Sequence, residues 1–277
     1  MDTQLHDLYH ADCCTPTATA LPNLADDDLA AELLKMLQQV WADKGLPEGL
    51  INEAVTTAFA KKLFTAVQDG FGVNFGSIDY DTPDYEMLQA LQTNVWHFSA
   101  AKNYTQLREL SNALIDTDGK LRTFSQFKQI ALQINDKHVN QYLKTEYNLA
   151  VTGGQMAGKW VNIEANKDIL PLLEFDAVID TQTTDLCRRL NGTILPVDHP
   201  FWSTYYLPNH FGERSTIRQL TSGKVTQAEN IPSADIPDMF KTNLAKEGLI
   251  YPKGHSYFID NPAGIADAAM AAMQKNK

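Results

Sequence analysis

The sequence predicts an α+β fold: a predominantly helical body with a small antiparallel β unit in the C-terminal half. Three observations predict it. Apolar residues recur at helical spacing from Asp26 to about residue 165. The period then changes to two at Leu173, where Leu173, Phe175, Ala177 and Ile179 alternate with Glu174, Asp176, Val178 and Asp180, the pattern of a half-buried strand. Finally, Asn191-Gly192 reads as a tight turn, both residues tolerating positive φ, and Thr216 to Leu220 reads as a returning strand.

Taken in order, residues 1–25 are turn-rich and read as an arm or linker. Asp26, Asp27 and Asp28 then supply an acidic cap for a helix carrying Leu29, Leu33, Leu37, Val40 and Trp41, closed at Gly45. A second helix follows Pro47, with Val55, Phe59, Leu63 and Ala66 inward, and stops at Asp69-Gly70. Pro83 opens a third helix with Leu88, Leu91, Val95 and Trp96, and Leu107 to Ile115 reads as a separate short one. Phe124 to about Val161 is the longest periodic region, its wide apolar face suited to packing against other helices. Gly153-Gly154 inside it predicts a close backbone approach or a bend, because no strand precedes it to make a phosphate loop. Ile265 to Met273 reads as a weak last helix. The organisation is therefore 1–25 arm, 26–165 helical body, 166–225 small β unit and 226–277 loop-rich segment.

Length sets one or two domains, at roughly 100–200 residues each. A net charge of −11 argues against nucleic acid as the main partner, although Arg188, Arg189, Arg214, Arg218 and Lys224 gather in or just after the β unit. No stretch reaches the roughly 20 apolar residues of a membrane span, and no basic-then-apolar leader opens the chain, so neither membrane insertion nor secretion by a cleaved signal is expected. Cys13, Cys14 and Cys187 do not make a disulfide framework and read as reduced thiols.

The stretch from Phe175 to Leu220 carries the most specific pattern: Asp180, Cys187, the run Arg188-Arg189-Leu190-Asn191-Gly192, Trp202, Pro208-Asn209-His210 and Arg214-Ser215-Thr216-Ile217. These residues resemble the phage Mu F-like minor head proteins, also called phage head morphogenesis proteins. Looser similarity extends over residues ~50–260 and includes Thr145 to Trp160, Met239 to Asn243 and His255 to Phe258. The resemblance implies a low-copy structural protein of the tailed-phage head, found in the virion and assembled in the bacterial cytoplasm. Its implied partners are the portal protein and the inner capsid, with local contact to packaged DNA and no small-molecule substrate. Asp180, Cys187, Leu190, Gly192, Trp202, Pro208, His210 and Arg214 are the expected structural residues, and Arg188, Arg189 and Arg218 the expected partner contacts.

This sequence departs from the family at one place. Many members read Cys-x-x-Cys before the turn and His-x-x-Cys-Arg-Cys after it, a set of soft ligands suited to tetrahedral zinc. Here Thr184 stands at the first cysteine, and Glu213 and Ser215 at the last two. Cys187 and His210 remain, with Glu213 as a third candidate, so the expectation is a corner held by hydrogen bonds and packing without metal or cofactor. The competing class is an enzyme, a toxin-like effector using Cys187 and His210 as nucleophile and base. No helix N-terminus is expected beside the cysteine to activate it, and only ~57 residues follow the motif, too few for an ordinary fused domain.

Overall fold

The computed structural model describes residues 24, 26–47, 49–73 and 75–276; the predicted arm, with Cys13 and Cys14, lies outside them except for Leu24. The fold is α+β, helix-rich with one three-stranded antiparallel sheet in the C-terminal half. The chain forms two compact units that interleave in sequence. Residues 64–94 and 147–255 belong to the first, and residues 26–63, 95–146 and 256–276 to the second.

The second unit begins with α1 (Asp27–Asp43), whose N-terminus is capped by Asp26 Oδ1 accepting from Leu29 N at 3.0 Å. Leu29, Leu33, Met36, Leu37 and Val40 form its buried stripe, each worth about 1.5–3 kcal/mol in burial. The helix stops where Lys44 turns left-handed, φ 56°, its ammonium 3.5 Å from the Trp41 ring centroid. α2 (Glu53–Phe71) and α3 (Pro83–Asn112) contribute residues to both units. α3 is one helix where the sequence predicts a break before Leu107. Ser99, Lys102, Asn103, Thr105 and Gln106 are polar yet buried, which hides the apolar period along that stretch.

Thr123 and Gln126 make a reciprocal capping box that starts α4 (Phe124–Asp136). A π-helical turn, Lys137–Tyr142, separates α4 from α5 (Leu143–Asn166), so the long periodic region is two helices with an offset between them. Lys102 lies against this turn. Its Nζ donates to His138 O at 2.9 Å and to both Glu146 oxygens at 2.7 and 2.6 Å, and neither side chain of the pair is exposed at all. Burial lowers the Lys102 pKa, opposed by the Glu146 charge. Burial likewise lowers that of His138, whose Nε2 lies 3.1 Å from Glu109. Burial alone would raise the Glu109 carboxyl, but His138 and Lys137 together hold it at about 2. The chain ends with α8 (Ser256–Ile259) and α9 (Ile265–Lys275), and Ala272 and Met273 of α9 pack with Ala60 and Trp96.

In the first unit the end of α2 runs against α5. An added Cβ at Gly70 would overlap the Val151 carbonyl, one at Gly154 the Val67 carbonyl, and one at Gly158 would sit 3.2 Å from Phe71 O. Within the Gly153-Gly154 pair, Gly154 is therefore the close backbone approach, whereas a Cβ at Gly153 would sit 2.9 Å from the Ile250 side chain. Asn94 fixes the later loop to this layer, its Oδ1 accepting from Ile250 N and Tyr251 N at 2.9 and 2.8 Å. The sheet has order β2-β1-β3, from β1 (Leu172–Asp176), β2 (Ile194–Pro196) and β3 (Thr216–Leu220). Leu173 pairs with Leu195 and Gln219, and Phe175 with Ile217, so Leu173, Phe175, Leu195 and Ile217 bury one face.

β1 is shorter than its alternating pattern predicts. It ends at Asp176 because the Asn191 side chain accepts from Ala177 N at 2.9 Å, and Val178 and Ile179 turn out to solvent. Asn191-Gly192 is not a two-residue hairpin: the helix α6 (Asp185–Leu190) intervenes between β1 and β2. Only Gly192 takes positive φ, 74°, while Asn191 is at φ −55°.

Two stability measurements check these contacts. Gly154→Ala should lower stability by about 1–3 kcal/mol in urea denaturation through overpacking, although helix propensity alone would favour alanine by about 1 kcal/mol. Lys102→Met should cost about 3–5 kcal/mol, because it strands a buried carboxylate, whereas Lys102→Met with Glu146→Leu should recover most of that loss.

Candidate functional site

Thr184 starts the site. Its hydroxyl accepts from Cys187 N at 3.2 Å, opening α6 with Asp185 in the first turn and Arg188 and Arg189 in the last. Contrary to the sequence expectation, a short helix N-terminus does accompany the cysteine. Leu190, fully buried, anchors the same helix to the core.

Facing it is the corner from Leu207 to Ser215. It begins with a cis Leu207-Pro208 bond and turns again at Gly212, φ 75°. This brings His210 Nε2 to 3.3 Å from Cys187 Sγ, and Glu213 Oε1 to 3.3 Å from the same sulfur. Glu213 Oε2 lies 3.2 Å from His210 Nε2. The ligand atoms of Cys187, His210 and Glu213 all lie within 4.8 Å of one another, and all three residues are buried.

The surroundings position these groups. His210 Nδ1 donates to Phe211 O at 2.8 Å, which turns Nε2 toward the sulfur. Ser215 gives Glu213 Oε1 two hydrogen bonds, from its N at 3.1 Å and its Oγ at 2.6 Å. Thr184 Oγ1 lies 3.0 Å from Sγ. Burial, then the neighbouring Glu213 carboxylate, push the Cys187 thiol up to about 12. An activated nucleophile needs the opposite shift.

Asp180 and Arg214 close the outer side. Arg214 Nη1 and Nη2 donate to the two Asp180 oxygens at 2.8 and 2.7 Å, a bidentate pair that holds the carboxyl well below the usual carboxylate range. Gln182 N and Thr183 Oγ1 also donate to Asp180, so the loop between β1 and α6 is tied to the corner. Trp202, on α7 (Phe201–Tyr205), is buried and donates from Nε1 to Pro196 O at 3.0 Å; Tyr206 OH donates to Met156 O at 2.9 Å. Trp202 thus ties α7 to β2, and Tyr206 ties the following turn to α5. The three predicted contact arginines are placed apart from the buried cluster. Arg188 bonds the carbonyls of Asp180 and Thr183, Arg189 reaches Ser233 O at 3.4 Å, and Arg218, 57% exposed, lies 3.4 Å from Glu174.

Of the predicted structural residues, the structure gathers Asp180, Cys187, His210 and Arg214 into one corner, which the cis Leu207-Pro208 bond opens; Leu190 is buried on α6, Gly192 turns toward β2 and Trp202 bonds Pro196 O. Sequence reasoning missed the part played by Thr184 and Ser215. For Thr184 the signal was present, a threonine followed by Asp185 ahead of two arginines, which is a helix start and finish.

Residues 121–218 match the family model described as Phage Mu protein F like protein. The putative capsid assembly protein F of Escherichia phage Mu is 28% identical over 85 residues, 31% of this chain and 19% of that protein. The chain thus spans about a fifth of the curated relative it matches. No solved structure matches. The matched region runs from the start of α4 through β3 and contains the whole corner, whereas Met239 to Asn243 and His255 to Phe258 fall outside it. Residues 121–218 are thus similar to the Phage Mu F-like family, the one that the Asp180–Ile217 motif resembles.

Proposed function

We propose that the chain is a minor head protein of a tailed phage, acting in head morphogenesis by protein–protein binding at the portal vertex and on the inner capsid. The observation that carries this reading is the coincidence of the family match with the corner: residues 121–218 enclose Asp180, Cys187, His210, Glu213, Arg214 and Ser215, which bond one another there. The relative's name, a putative capsid assembly protein, points to the same process. The charged groups around the corner support an architectural role. Asp180 and Arg214 tie a loop, Arg188 and Arg189 bind carbonyls, and Arg218 leaves one guanidinium outward for an acidic partner loop or for packaged DNA. No described helix is long and apolar enough to cross a membrane. A head component assembled in the host cytoplasm is the location this reading requires.

Catalysis through Cys187 has the weaker support, since its thiol is buried and pushed up to about 12.

Two measurements bear on the reading. A tagged chain expressed during phage growth should co-purify with portal rings and with procapsids, and absence from both would overturn the proposal. In the presence of a chelator at pH 8, Cys187 should resist alkylation in the folded chain and react fully in urea, scored by mass spectrometry of its peptide. Rapid alkylation of the folded chain would restore the enzyme reading.

A further inference from the structure

We propose that Cys187, His210 and Glu213 together bind a single soft divalent cation, zinc foremost, through three protein donors, and that this chain thereby keeps a metal centre in which a carboxylate and two hydroxyls stand where many Mu F-like proteins have cysteines. The inference does not rest on the head-assembly reading. It replaces the metal-free corner expected from the sequence, and three observations on the side chains carry it.

The first is distance. Tetrahedral zinc with sulfur, nitrogen and oxygen ligands sets those atoms roughly 3.4–3.6 Å apart. Here Sγ lies 3.3 Å from Nε2, the two carboxylate oxygens reach one partner each (Oε1 to Sγ at 3.3 Å, Oε2 to Nε2 at 3.2 Å), and one donor atom from each residue lies within 4.8 Å of the other two. The second is orientation. With Nδ1 donating to the Phe211 carbonyl, Nε2 of a neutral imidazole presents its lone pair to the cluster, the arrangement in which metal-bound histidines are held. The third is the carboxylate. The Glu213 side chain has no exposed surface, Oε1 is bonded by Ser215, and Oε2 accepts no aligned hydrogen bond among the described residues. A buried carboxylate oxygen facing a nitrogen lone pair is costly unless a cation lies between them. Thiolate and imidazole donors select zinc over calcium or magnesium, which take oxygen ligands.

Thr184 and Ser215 then act one layer out. Thr184 Oγ1 lies 3.0 Å from the sulfur, and Ser215 Oγ, 2.6 Å from Oε1, orients the carboxylate.

The test uses the full chain, freed of metal by a chelator and then titrated with cobalt(II) and zinc. One equivalent of cobalt should give a thiolate-to-cobalt charge-transfer band, and zinc should raise the unfolding midpoint, since it binds the folded state preferentially. Cys13→Ser with Cys14→Ser should leave both signals in place, and Cys187→Ser should abolish the band. Ser215→Ala should weaken binding by roughly 10–100-fold, the usual effect of losing an outer-layer partner, and it decides the matter if Cys187→Ser does not fold. The proposal is overturned by an absent band and an unmoved midpoint at saturating metal, which would mean a proton on Nε2 pairs His210 with Glu213. A band that survives Cys187→Ser, or affinity unchanged in Ser215→Ala, would overturn it equally.

Discussion

A carboxylate shut away from water organises the corner. The side chain of Glu213 has no exposed surface, and removing such a charge from solvent costs several kcal/mol even after the protein relaxes around it. Each feature nearby answers that cost. The turn at Gly212 lets the chain reverse between His210 and Glu213, so both side chains point inward from one short segment. Ser215 supplies two donors to one oxygen, and Cys187 brings its thiol to the same oxygen. The Asp180–Arg214 pair then secures the rim, and with it the loop that carries Thr184 and α6.

The second unit meets the same difficulty by a different route. Glu146 is also wholly buried, but there the compensating group is an ammonium, Lys102, bonded to both oxygens and to the His138 carbonyl. Its placement depends on the π-helical turn, which offsets the backbone at Lys137–Tyr142 and presents that carbonyl to Lys102. A full ion pair of this kind neutralises its charge within the two side chains. The Glu213 corner has a thiol, an imidazole and a hydroxyl instead, and its charge balance stays open to a proton or a metal ion. The difference between a closed pair and an open cluster separates a stability element from a site that can take up a ligand.

How much of this was legible in the sequence varied with the range of the interaction. The fold class was, because the change of period at Leu173 is a local signal, and β3 was read with its observed ends. The buried face of α1 was legible because it requires only residues a turn or two apart, and the close approach at Gly154 because a glycine pair inside a helix marks a place where no side chain fits, although its partner Val67 was not legible. The end of β1 was not. It is set by Asn191, fourteen positions away in the chain, accepting from Ala177 N. The continuity of α3 was hidden because its buried positions carry Lys102, Asn103 and Gln106, whose partners lie on other elements. Pattern alone cannot distinguish a satisfied buried polar residue from an exposed one. Asn94, which holds the loop at Ile250 and Tyr251 more than 150 residues on, was invisible for that reason.

The site shows the same division. Cys187 and His210 were predicted from their resemblance to a ligand set, and the structure does bring them together. What sequence could not weigh was the meaning of Thr184, Glu213 and Ser215 at positions where many family members carry cysteine. As isolated substitutions they look like the loss of a metal site. In place, the Thr184 hydroxyl both caps α6 and contacts the Cys187 sulfur, while Ser215 bonds the Glu213 carboxylate. Glu213 and Ser215 are therefore coupled: a buried carboxylate needs an orienting donor that a cysteine would not, and Ser215 supplies it two residues along. Exchanging Glu213 alone for cysteine would leave Ser215 without its acceptor, and exchanging Ser215 alone would release the carboxylate, so the two positions act as one unit in the corner.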